Sequence, residues 1–249
     1  MKIHCGADVF IYHFSSKLNI KGSVIDADNN LLVIQTDEGR INNAISEGEP
    51  AVIFYREESN IAMIGCIVKE KMSRRGSFQV LCDNTVIQGQ NKRMYERYPV
   101  SYYADLKVVN EQRRYVAFLK DISKYGLRII TDAQLNPGKK IEISLYLEKK
   151  ILFISALIVR CAQGKKYFDY GAILTIEDFH SLREISNLIR ITTEDYINRF
   201  VNTDMLNDQA GSKYDLIYDA ATNQFSLNEN KNIDAIIAKL GDVIRRTRY

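Results

Sequence analysis

The 249-residue chain has no apolar run near the ~20 residues a helix needs to span a bilayer. Its opening residues, Met1-Lys-Ile-His-Cys-Gly, lack the basic and apolar regions of a signal peptide. A cytoplasmic location is the expectation. Cysteine is scarce: Cys5, Cys66, Cys82 and Cys161 are far apart and form no C-x-x-C pair, which points to reduced thiols. The three histidines, His4, His13 and His180, show no H-x-x-x-H spacing and no carboxylates at ligand distance along the chain, which argues against a metal site. A hydrolase elbow and a P-loop are both missing, and no general base, metal set or nucleophile stands out. The chain is therefore expected to be no enzyme and to carry no cofactor.

With 46% hydrophobic residues the chain can bury a sizeable core, most simply as two domains. The formal net charge of +3 is unevenly spread. Residues 88–128 hold nine Lys/Arg against four Asp/Glu, so the rest of the chain is slightly acidic and the positive field is concentrated in one stretch.

Residues 1–88 contain six short runs rich in Val, Ile, Phe and Tyr, at 7–14, 20–26, 31–36, 50–56, 61–69 and 77–81, separated by polar turn clusters. They predict a small antiparallel barrel or sandwich. A polar stretch from Asn84 to Lys92 follows as a linker. From Val100 the period is two, and strands are predicted at 100–108, 114–120, 127–131, 140–147, 151–161 and 167–176, joined by short turns. Six such strands fit a closed barrel without free edges. Ser181-Leu-Arg-Glu184 has the form of a capping box, followed by helical spacing at Leu182, Ile185, Leu188 and Ile189, with a restart at Thr192-Thr193. Residues 201–231 read as a polar linker. Ile233, Ile236, Ile237, Leu240 and Ile244 then mark one face of a terminal amphipathic helix that ends in Arg245-Arg-Thr-Arg248. That face calls for the body of the protein, a second copy, another protein or a membrane surface.

Two short patterns lie in the basic stretch. Arg93-Met-Tyr-Glu-Arg97 sets two guanidinium forks four residues apart, each able to grip a phosphate or the O6/N7 edge of guanine, and Lys92 adds a third cation. Asp121-Ile-Ser123-Lys-Tyr-Gly126 supplies a carboxylate for a guanine's N–H groups, a hydroxyl for a phosphate oxygen, and a glycine where the chain can turn with positive φ or let a ligand come close. Together they complement an anionic ligand carrying guanine. Pro99 disfavours helix at Tyr98, so the arginine segment is expected to be a mobile loop that orders on phosphate.

The order and separation of these motifs resemble the PilZ domain, the bacterial receptor for cyclic di-GMP, over residues 92 to about 200. The resemblance implies that Lys92, Arg93, Arg97, Asp121, Ser123 and Gly126 bind the dinucleotide. Residues 1–88 resemble, more weakly, the N-terminal domain of flagellar-brake (YcgR-like) proteins, which precedes a PilZ domain in this order. The division implied is 1–88, 89–200 and 201–249: a mostly β protein of two small antiparallel barrels followed by C-terminal helices. The function expected is a cyclic di-GMP receptor whose domains rearrange on binding and regulate a protein target such as the flagellar motor, with no nucleic acid as partner. The rival reading is a small barrel that binds single-stranded nucleic acid through Arg113, Arg114, Tyr102, Tyr103 and Tyr115.

Overall fold

The computed structural model describes residues 3–36, 45–57, 60–72, 76–83, 97–147, 149–164, 166–176, 179–202, 214–219 and 224–229. Six antiparallel strands build the first barrel: β1 (Asp8–His13), β2 (Leu18–Asp28), β3 (Leu31–Thr36), β4 (Pro50–Glu57), β5 (Asn60–Lys71) and β6 (Ser77–Cys82). They run in the order β5-β4-β1-β2-β3-β6, and β6 returns to pair with β5. A second closed barrel, ordered β10-β11-β12-β9-β8-β7, comprises β7 (Tyr98–Val108), β8 (Arg114–Ile122), β9 (Gly126–Thr131), β10 (Lys140–Leu147), β11 (Lys150–Gln163) and β12 (Phe168–Leu174). Every strand predicted in either barrel is present, with ends displaced by a few residues. Two of the hairpin turns use asparagine in the left-handed region, Asn29 (φ 52) and Asn110 (φ 69), a conformation its short side chain tolerates.

The first barrel has strands buried on both faces. In β1, Val9 and Ile11 point into its own core, whereas Phe10 and Tyr12 belong to a cluster shared with the second barrel. The same alternation holds in β4, where Ala51, Ile53 and Tyr55 face inward and Val52 and Phe54 face the neighbour. Phe14, just past β1, is 4% exposed, and its ring centroid lies 5.1 Å from that of Tyr102 on β7. A single face of such aromatics adds roughly 1.5–3 kcal/mol per fully buried side chain, so the barrels form a packed pair. Backbone bonds reinforce it: Phe14 N donates to Ser101 Oγ (2.7 Å) and Tyr103 N to Ser15 Oγ (2.7 Å).

After the second barrel comes one helix, α1 (Phe179–Asn202), whose Ile185 and Leu188 enter the second core. Two details differ from expectation. Ser181 lies within the helix instead of capping it, because the chain enters helical conformation two residues earlier. There is no restart at Thr192: the helix runs on through it, supported by an Arg190–Glu194 pair (2.7 Å), while Thr193 Oγ1 satisfies itself on Ile189 O (2.9 Å).

The polar linker assigned to 201–231 is also corrected. Within it, β13 (Tyr214–Asp219) and β14 (Gln224–Glu229) form a hairpin, and β14 pairs with the start of β5 through Asn60, Ile61 and Ala62. Short alternating runs (Tyr214, Leu216, Tyr218; Phe225, Leu227) carry this period-two signal inside a polar composition. The terminal helix expected at 233–244 lies outside the described residues. No described helix is long and apolar enough to cross a membrane.

Candidate functional site

The site begins with a fault in a strand. Along the β8–β9 ladder Leu119 pairs with Ile129, but the next pair is Asp121 with Arg128, so Lys120 is an extra residue in β8. A bulge of this kind breaks the in–out alternation and re-aims side chains. Lys120 and Asp121 are consecutive, yet both are buried, at 2% and 9% exposure.

Arg97 immediately precedes β7, and its Nη1 donates to Asp121 Oδ1, beside the bulge, at 2.8 Å. The Asp-x-Ser turn closes on itself. Ser123 N and Oγ both donate to Gly126 O (2.8 and 3.0 Å), and Gly126 N donates back to Ser123 Oγ (3.1 Å). Gly126 is not at positive φ; its lack of a side chain serves close approach instead. A Cβ there would stand 3.2 Å from Ala172 O, 3.4 Å from Arg97 Nη2 and 3.5 Å from Ser123 Oγ. One arginine and three turn residues taken from two separate motifs thus converge on one spot. Asp121 and Gly126 are strand residues of β8 and β9, which narrows the connecting turn to 123–125.

Around this spot lies a charge cluster that sequence reading missed. Arg128 grips Asp169 with a fork, Nε to Oδ1 (2.7 Å) and Nη2 to Oδ2 (2.6 Å), and turns Nη1 to Asp83 Oδ1 (2.8 Å). Lys120 Nζ reaches the same Asp83 oxygen at 2.6 Å. Asp83 follows β6 of the first barrel; Arg128, Asp169 and Lys120 belong to the second. Burial pushes the Asp121 carboxyl above the usual carboxylate range, and the Arg97 and Arg128 charges only partly offset this. For Arg128 burial works against the charge, but the bonds to Asp169 and the charge of Asp83 outweigh it and raise its pKa. The only hint in the sequence was the adjacency of Lys120 and Arg128 to the motif. Strict alternation along β8 hid the bulge, and Asp83 stood at the head of a supposed linker.

Lys92 and Arg93 lie outside the described residues, as does most of the segment expected to order on phosphate. The aromatic residues of the rival nucleic-acid reading are engaged in packing. Tyr102 is buried with its hydroxyl 3.4 Å from Thr192 Oγ1, Tyr103 donates to Glu49 Oε1 (3.0 Å), and the Tyr115 ring is covered by Arg113. Among the described residues no group of His, Cys, Asp or Glu is arranged to hold a metal ion.

Residues 91–191 match the PilZ domain, the segment that contains both motifs, the second barrel and the first half of α1. This segment is a PilZ domain within a longer chain. No curated protein sequence matches it. Among solved structures it is similar to Escherichia coli YcgR in complex with c-di-GMP (11% identity, 78% of this chain and 87% of that one, TM-score 0.38). It is similar also to the Bacillus subtilis inhibitor of motility MotI/DgrA (11%, 79% and 99%, TM-score 0.36) and to the K. pneumonia MrkH–c-di-GMP complex (13%, 78% and 90%, TM-score 0.38). Likenesses this distant fall below the level at which a superposition defines a shared fold, and the PilZ assignment is that of residues 91–191.

Proposed function

We propose that the chain is a cyclic di-GMP receptor whose ligand alters the relation between its two barrels and thereby regulates a protein target, the motility apparatus being the class of target that the flagellar-brake resemblance suggests. The observation that carries this reading is the Arg97–Asp121 pair beside the Ser123–Gly126 turn, where two motifs whose facing ends are 24 positions apart in the PilZ segment meet. Arg97 has a fork of donors and Asp121 occupies one edge of it, which holds the guanidinium plane in place and leaves its other edge to a phosphate or guanine. Arg93 and Lys92, the other cations of the first motif, are assigned to the same ligand by the family resemblance. Asp121 also discriminates. A carboxylate accepts from guanine's N–H groups and repels a bare polyphosphate.

The mechanism is binding, not bond-making. A dinucleotide gripped by the arginines of the connecting segment and by the turn of the second barrel ties that segment down. Calorimetric titration with cyclic di-GMP, GTP, cyclic di-AMP and an oligonucleotide tests the reading. Saturable binding of cyclic di-GMP alone supports it. Equal binding of cyclic di-AMP, or preference for the oligonucleotide, contradicts it.

A further inference from the structure

Asp83 is placed oddly for a residue at the edge of a linker. It is a carboxylate of the first barrel that bonds into the second, and one of its oxygens, Oδ1, receives both Lys120 Nζ (2.6 Å) and Arg128 Nη1 (2.8 Å). Its backbone is fixed too, since Asp83 N donates to Gly65 O (2.8 Å) and a Cβ on Gly65 would lie 2.9 Å from Asp83 Oδ2. Glycine at 65 is therefore what leaves room for this carboxylate. Lys120 is 2% exposed and is the bulge residue whose presence turns Asp121 toward Arg97. Arg128 is the register partner of Asp121 and acts on its charge, as does Asp83 itself.

The cluster holds three cations (Arg97, Lys120, Arg128) and three carboxylates (Asp83, Asp121, Asp169). Among the described residues these formal charges cancel. An anionic dinucleotide entering at Arg97 adds negative charge to a balanced set, and the carboxylate most easily given up is the one that comes from another body. Asp169 is held by Arg128 through a bidentate fork within its own barrel, and Asp121 sits in the same strand as Lys120.

We propose that Asp83 is an internal competitor for the cations of the ligand site: a carboxylate latch by which the first barrel holds Lys120 and Arg128, and which bound cyclic di-GMP loosens. The proposal rests on the receptor reading and adds the direction of coupling. Ligand replaces one inter-barrel tie, through Asp83, with another, through Arg97 at the end of the connecting segment. By reciprocity, a change that removes the latch raises ligand affinity.

The test uses the full chain. Cys5 in the first barrel and Cys161 in the second are exposed, while Cys66 and Cys82 are buried, so spin labels on the native exposed pair report the inter-barrel distance. Asp83→Asn should bind cyclic di-GMP several-fold more tightly than wild type and should broaden the Cys5–Cys161 distance distribution without ligand. Asp169→Asn removes a carboxylate from the same arginine inside one barrel, and should leave that distribution as in wild type. If Asp83→Asn proves too unstable, Asp83→Ser, which removes the charge and leaves Lys120 and Arg128 in place, carries the same two expectations. Unchanged or weaker binding in the Asp83 variant, or an unchanged distance distribution, overturns the latch. Wild type that binds no cyclic di-GMP overturns the receptor reading itself, a separate outcome because it appears before any variant is compared.

Discussion

Arg97 Nη1 and Asp121 Oδ1 are 2.8 Å apart, with the arginine side chain 25% exposed and the aspartate 12%. The pair is half interior and half site. On the proposed reading Arg97→Ala removes a ligand contact, and it also strands a buried carboxylate. Ligand affinity should fall by ~1–3 kcal/mol, about five- to more than a hundredfold. Thermal unfolding of Arg97→Ala, Asp121→Asn and the double variant should reveal a coupling of ~0.5–3 kcal/mol. Additive losses would mean that the two residues do not act as a pair.

Asp121→Asn separates recognition from folding. Because burial raises the folded pKa of Asp121, ionisation costs the native state. The stability linked to this group is fully present below its ordinary value of 3.8 and is lost as pH rises through the raised folded value. The asparagine variant should therefore be no less stable than wild type at neutral pH by thermal unfolding, yet lose discrimination between guanine and adenine dinucleotides. A marked fall in melting temperature with selectivity intact reverses the assignment.

Gly126→Ala places a methyl 3.2 Å from Ala172 O and 3.4 Å from Arg97 Nη2. The carbonyl is backbone and yields little, so overpacking should cost ~1–3 kcal/mol in denaturant titrations and push the guanidinium from its seat. Ser123→Ala should cost more than one neutral bond, since its hydroxyl both donates to Gly126 O and accepts from Gly126 N. About 1–3 kcal/mol of stability is expected, against ~0.5–1.5 for a single bond. Loss of affinity in either variant with unfolding curves identical to wild type would make these direct ligand residues instead of turn formers.

The inter-barrel face carries its own pH dependence. His13 is fully buried; Nδ1 is 2.7 Å from Ser16 Oγ, Nε2 is 3.8 Å from Glu49 Oε2, and its ring sits edge-on to Tyr103 of the second barrel. Burial lowers its pKa below 6.5, and the Glu49 charge only partly restores it. A depressed histidine contributes stability that is fully present above 6.5 and is lost as pH falls through the folded value, because the unfolded chain takes up the proton first. Wild type should lose stability on acidification in that window, and His13→Gln should flatten the loss. An identical pH profile for both proteins would assign the effect elsewhere.

Both barrels were legible because their strands alternate over short runs bounded by turn residues, and because Asp121, Ser123 and Gly126 form a compact local pattern. The β13–β14 hairpin was missed where polar composition masked a period-two signal. What alternation could not show was Lys120: a bulge inserts one residue without any mark in composition, and so Lys120, Arg128 and Asp169 passed as ordinary strand residues. Asp83 escaped notice because its meaning depends on a contact between barrels. Phe10, Tyr12 and Phe14 carried a fainter sign. The burial of β1 on both faces was written as a continuous apolar run, which one barrel alone does not require.

Whether the two motifs form one anion- and guanine-binding site is decided by a calorimetric titration of cyclic di-GMP into wild type and into the Arg93→Ala, Arg97→Ala double variant. Saturable binding in wild type with loss of at least ~100-fold in a folded double variant is the expected result, from two contacts at ~1–3 kcal/mol each. Near wild-type affinity in the double variant, or no binding by the wild-type chain, would contradict it.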